Sequence, residues 1–156
     1  MHRHIAVRLS ILAVSVGVWL GAQGARAERD RSPARLRFTS AFAGVAPDGQ
    51  SLVWEGGVDG ATRGRARLEL RQVEGPAEAA NPVWHVVAHW TVTDASGTRS
   101  FTAELEGMID WRSGTSRLGG VITSGWMRGA WAQQEGRFVN GDVSGSLAIN
   151  PPPTRP

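Results

Sequence analysis

From Phe101 to Ile149 apolar and polar residues alternate, and Ser-Gly, Gly-Gly or Asn-Gly breaks the alternation every several positions. A period of two is the signature of a strand with one apolar face. The glycines supply the positive-φ turns or bulges that let each strand fold back on the one before it. A chain patterned in this way is an antiparallel meander. Within the run, Phe101, Ala103, Leu105, Ile109 and Trp111 lie opposite Thr102, Glu104, Glu106 and Asp110. Upstream the same alternation puts Trp84, Val86, Ala88, Trp90 and Val92 on one face, and Ala66, Leu68 and Leu70 on another.

Strands are predicted over Leu36–Phe42, Ser51–Val58, Gly64–Val73, Val83–Thr93, Arg99–Trp111, Arg117–Thr123, Met127–Phe138 and Asp142–Ile149. Turn residues separate them, as at Pro47-Asp48-Gly49, Asp94-Ala95-Ser96-Gly97, Arg112-Ser113-Gly114 and Asn140-Gly141. The longest connection, Glu74 to Pro82, holds one expected helical turn at Glu78-Ala79-Ala80. No segment keeps a helical period long enough to cover a sheet. The apolar faces therefore need a second sheet, or closure of the one sheet on itself. Eight strands of this length close into a barrel that side chains fill or that holds one small ligand. Closure also removes the exposed edges of long strands. The expected fold is all-β, a single eight-stranded antiparallel β-barrel over residues 35–150.

The N-terminus reads as an address. His2, Arg3, His4 and Arg8 form a basic region, Leu9 to Leu20 is uncharged and apolar, and Ala25-Arg26-Ala27 offers the small residues a signal peptidase reads. The apolar stretch is short for a bilayer core of about 30 Å. A cleavable signal peptide at residues 1–27, cut after Ala27, predicts export to the periplasm or the medium; a second cut could follow Gly24. Residues 28–34 read as a flexible leader and residues 151–156 as a proline-rich tail. Cleavage removes Arg3, Arg8 and Arg26, leaving fourteen arginines against fourteen acidic residues. The mature chain is thus neutral, and charge gives no reason to expect a nucleic acid, or a membrane beyond export. The chain has no cysteine for disulfides or a lipid anchor.

The segment LGGVITSGWMRGAW, followed by GDVSGSLAI, resembles the C-terminal half of the allene oxide cyclase-like barrels, which are related in fold to plant dirigent proteins. The likeness rests on Gly119-Gly120, Gly125, Gly129-Ala130 and Gly145 two residues before an apolar pair. It implies a calycin-like barrel with an apolar cavity, assembled as a homotrimer. Plant dirigent proteins follow the double glycine with Thr-Gly, whereas this chain has Val121-Ile122, so no catalytic residue is carried over. The lipocalins are another barrel family, but no Gly-x-Trp stands at the first strand.

Few residues invite chemistry. His85 and His89 would lie about 13 Å apart along a strand, too far to share a metal, and no metal or other cofactor is expected. Glu104, Glu106 and Asp110 on one strand, with Arg65, Arg67 and Arg71 on another, are the candidate catalytic groups, as general acid or electrostatic site at a barrel mouth. The competing role is an ion ladder on the outer wall. Trp84, Trp90, Phe101, Leu105 and Trp111 are the candidate ligand-binding residues, as cavity lining. Trp126 follows the turn at Ser124-Gly125, where it either presents a sugar-stacking face or an oligomer contact, or packs over the barrel end. The sequence thus favours an exported barrel that binds a small apolar ligand or serves as a structural, oligomeric module. The alternatives are a cyclase or isomerase acting on a reactive apolar substrate, and a carbohydrate-binding module.

Overall fold

A computed structural model describes residues 32–74 and 81–152. The expected signal peptide, the leader as far as residue 31, the helical turn expected at Glu78-Ala79-Ala80 and the tail from residue 153 lie outside the described residues. The strands are β1 (Ala34–Val45), β2 (Ser51–Gly60), β3 (Gly64–Gln72), β4 (Val83–Asp94), β5 (Phe101–Asp110), β6 (Thr115–Gly125), β7 (Trp131–Val139) and β8 (Asp142–Asn150). Each pairs antiparallel with the next, and β8 returns to β1 from Ala34 opposite Ile149 to Ser40 opposite Val143. The sheet is a closed eight-stranded barrel.

Local chemistry sets the connections. Asn140 and Gly141 take φ values of 53° and 89°, the double left-handed geometry of a tight hairpin between β7 and β8. Asp48 accepts from the backbone N–H groups of Gln50 and Ser51 and from the Ser51 hydroxyl, closing the β1–β2 turn. The strand alternation continues inward as read: Leu68, Leu70, Val86, Ala88, Trp90, Val92, Ala103, Leu105 and Ile109 are all buried.

The two glycines of Gly119-Gly120 do different work. Gly120 points inward, and a Cβ there would lie 2.0 Å from the Glu104 carbonyl oxygen on the next strand. Gly145 is equally tight against Glu135 O, at 2.0 Å. Bare backbone at such points lets the strands coil sharply enough to close. Gly119 points outward and lies under the Trp131 indole, whose nearest carbon would be 3.0 Å from an added Cβ.

Side chains fill the middle of the barrel. Trp90 is fully buried and packs edge-on against Phe38, with ring centroids 4.8 Å apart. Its indole N–H donates to Gln134 Oε1 at 2.9 Å, and the Gln134 amide donates to Ser116 Oγ at 3.3 Å. This short polar chain ties β4 to β7 and β6 across the interior and satisfies a buried indole and amide.

Two predicted strands begin later than the alternation suggests. Arg99 and Ser100 belong to the β4–β5 turn, where Asp94 accepts from the backbone N–H groups of Thr98 and Arg99. Met127 sits in a turn with φ of 59°, and β7 starts only at Trp131. In both places hydrogen bonding across a turn overrides apolar alternation.

Candidate ligand-binding site

The two ends of the barrel differ. At one end Trp126 is folded over the opening, 9% exposed, with its ring 6.2 Å from Phe101 and the Arg99 guanidinium 5.2 Å above it. At the same end Thr62 is buried and donates to Asp94 Oδ1 at 2.6 Å, while Arg99 donates to the Ala61 carbonyl. This end is stoppered.

At the other end a cavity of about 170 Å³ enters the barrel between β2, β3, β4 and β5. Leu52, Leu70, Val86 and Ile109 give it an apolar interior, and Trp84 and Trp111 form an aromatic wall. The two indoles meet edge to face at 5.2 Å. They belong to a longer aromatic series around this rim. Trp111 contacts Phe138 at 4.9 Å, Phe138 contacts Trp54 at 5.4 Å, and Trp54 contacts Phe42 at 5.3 Å. Edge-to-face packing of this kind adds about 0.5–1.5 kcal/mol per pair beyond area burial. The Trp54 N–H is fixed by the Gly141 carbonyl at 2.7 Å.

Polar groups also reach the cavity wall. Gln50 and Gln72 contribute to its lining. The Trp111 indole nitrogen and Gln72 Nε2 are both screened from water and have no hydrogen-bond partner. Burial works to raise the nearby Glu74 carboxyl, but it is outweighed by the His85 backbone N–H, the residue's own N–H and the Gln72 side chain. The Glu74 carboxylate is therefore held below its ordinary value, and it feels the Gln72 amide without a bond of proper geometry.

Of the residues expected to line a cavity, Trp84 and Trp111 do so. Trp90, Phe101 and Leu105 are instead packed into the filled core, at 0%, 3% and 1% exposure. Apolar alternation marks an inward direction equally for packed and for open parts of a barrel, so it could not separate the two groups. Gln50, Leu52, Leu70, Gln72, Val86 and Ile109 were missed as lining residues. Their clue was position, since all six flank the same barrel end as Trp84 and Trp111.

The candidate catalytic groups lie outside the cavity. Glu104 and Glu106 alternate with buried Ala103 and Leu105 and face solvent, and Glu106 accepts from His85 Nε2 at 2.6 Å. Asp110 accepts from the backbone N–H of Arg112 and the Ser113 hydroxyl, so its carboxylate serves the β5–β6 turn. Arg67 is held on the outer wall by Glu69 at 2.8 Å and by Glu55, while Arg65 and Arg71 are exposed. His89 shares the outward face of β4 with His85. Among the described residues no three His, Cys, Asp or Glu side chains converge as a metal site would require.

No protein-family model matches the chain, and neither a curated protein nor a solved structure matches it. The geometry of the barrel end is therefore what a functional reading rests on. Among the described residues the tryptophan exposed to solvent is Trp131, at 47%, beside the outward Val121 at 43%.

Proposed function

We propose that this protein is an exported β-barrel that binds one small, largely apolar ring compound in the cavity at the Trp84–Trp111 end. The observation that carries the reading is the cavity itself, about 170 Å³ walled by two indoles and four aliphatic side chains at the barrel end opposite Trp126. An apolar cavity of about 150 Å³ in another protein holds benzene, so the volume suits a single ring with a short substituent and no larger molecule. Export rests on the N-terminal pattern at residues 1–27. The resemblance to allene oxide cyclase-like barrels agrees with an apolar cavity. The reading is one of binding and not turnover, because no member of the candidate acidic and arginine set lines the cavity.

Titration of ¹⁵N-labelled protein with single-ring compounds tests it. Saturable shifts of the Trp84 and Trp111 indole resonances are expected, with those of Trp126 and Trp131 unmoved. The absence of a saturable shift with any single-ring compound would overturn the proposal.

A second reading has its own observation. Trp131 and Val121 are cross-strand partners on the outer wall, and together they expose an apolar patch on β6 and β7. Such a patch suits contact with another copy of the chain, as the trimer implied by the resemblance would use. Sedimentation analysis of the wild type against Trp131→Ser distinguishes it: a larger species that dissociates in the variant supports the contact, and a wild-type monomer removes it.

A further inference from the structure

The cavity changes character along its length. Its inner part is lined by Leu70, Val86 and Ile109, which lie inside the ends of β3, β4 and β5 and are buried. The backbone groups of this part are spent on ladder pairing, with Leu52 opposite Leu70, Gln72 opposite Val86 and Trp84 opposite Ile109. Trp111 Nε1 and Gln72 Nε2 are covered and out of an occupant's reach. The floor is therefore aliphatic. At the other end of the cavity Gln50 is exposed in the turn before β2, and Gln72, Trp84 and Trp111 are half-buried. Water reaches this mouth.

A polar group carried down to the floor loses its water and finds no partner, whereas the same group at the mouth stays hydrated. We infer that the cavity takes ring compounds with a single polar end and holds them in one direction. The ring and any apolar substituent lie on the Leu70–Val86–Ile109 floor, and the polar group lies at the mouth beside Gln50. The inference rests on the proposed ligand-binding reading, and adds which ring compounds are admitted and how they lie. A glutamine amide both donates and accepts, so a hydroxyl and a carbonyl suit the mouth alike. A cavity dry along its whole length would instead penalise each added polar group equally.

The compounds p-xylene, p-cresol and hydroquinone are nearly equal in size and carry no, one and two hydroxyls at opposite ends of the ring. Their dissociation constants for the wild-type full chain are to be measured by titration of the indole resonances, under argon to keep hydroquinone reduced. The first hydroxyl, left at the mouth, is expected to weaken binding less than about threefold. The second, forced onto the floor, is expected to weaken it at least about tenfold, the effect of a polar group buried without a partner. Intermolecular NOEs read the direction independently, and the p-cresol methyl is expected against the methyls of Leu70 and Ile109. Val86→Thr places a hydroxyl on the floor at nearly unchanged volume and is expected to narrow the second step. Equal losses at the two steps, or a p-cresol methyl at the mouth, overturn the inference while leaving the cavity a binding site. Failure of all three compounds to bind overturns the inference and the reading beneath it. The wild-type series decides the matter even if the variant does not fold.

Discussion

Gln134 is the polar side chain on which the barrel's centre depends. It is fully buried, accepts the Trp90 indole proton and donates to Ser116. Replacing it with leucine keeps the volume but strands the Trp90 N–H in an apolar interior, and an unpaired buried donor costs about 1–3 kcal/mol. Gln134→Leu is therefore expected to lower the unfolding free energy by that amount, seen as a lower urea midpoint with an unchanged m-value in tryptophan fluorescence. An unaltered midpoint would show that the bond contributes nothing. The sequence gives no sign of this role, because Gln134 stands beside Gln133 in a polar stretch and its partner is 44 residues away. Trp84 and Trp111 were legible as inward aromatics, whereas the unpaired Trp111 N–H became visible only once its surroundings were known.

Among the strands, the neighbouring glycines of β6 offer a direct comparison. At Gly120 a Cβ would collide with backbone that cannot yield, whereas at Gly119 it would meet the rim of an exposed indole ring that can tilt away. Gly120→Ala is expected to cost on the order of 3 kcal/mol, the upper range for overpacking. Gly119→Ala should cost less than about 1 kcal/mol, as a surface change does. Thermal melts of the two variants measure the difference, and equal losses would refute the inward and outward assignment. The eight strands were legible because each apolar face repeats within a few residues. Their ends were less so. Arg99 is drawn into a turn by Asp94, and Met127 by bonds that join Ile122 to Gly129 and Ala130.

The barrel as a whole is clipped at its turns by aspartates, and this gives it an acid limit. Asp48, Asp59, Asp94 and Asp110 are all held below the ordinary value of 3.8, first by side-chain hydrogen bonds from Ser51, Arg63, Ser96 and Ser113 respectively. A carboxyl depressed on folding binds its proton more readily in the unfolded chain. Its contribution is complete above the ordinary value and is lost as the pH falls through the depressed one. Stability should therefore be level with respect to these groups above about pH 5 and fall steadily toward pH 2. Guanidinium midpoints across that range measure it, and Asp94→Asn should flatten the acid limb. A midpoint unchanged between pH 5 and pH 2 would contradict the clipping role. Closure makes a second demand, since β8 pairs with β1 at the opposite end of the sequence. Loss of residues 142–156 would expose two edges at once, so that chain is expected to lose cooperative unfolding and to aggregate.

Side-chain alternation is a local property, set by the pleat within each strand. The amino-acid pattern alone therefore determined the number of strands and their inward faces, while the choice of closure over a second packed sheet was decided by the pairing of β8 with β1. Packing along the barrel axis is not local. Trp54 is anchored by Gly141, 87 residues away, and Trp126 covers an end formed by loops from three different hairpins. Only the assembled barrel decided that Trp90, Phe101 and Leu105 pack solidly while Trp84 and Trp111 border open space. Two positions with the same inward direction differ in what lies opposite them, and that depends on strands distant in sequence.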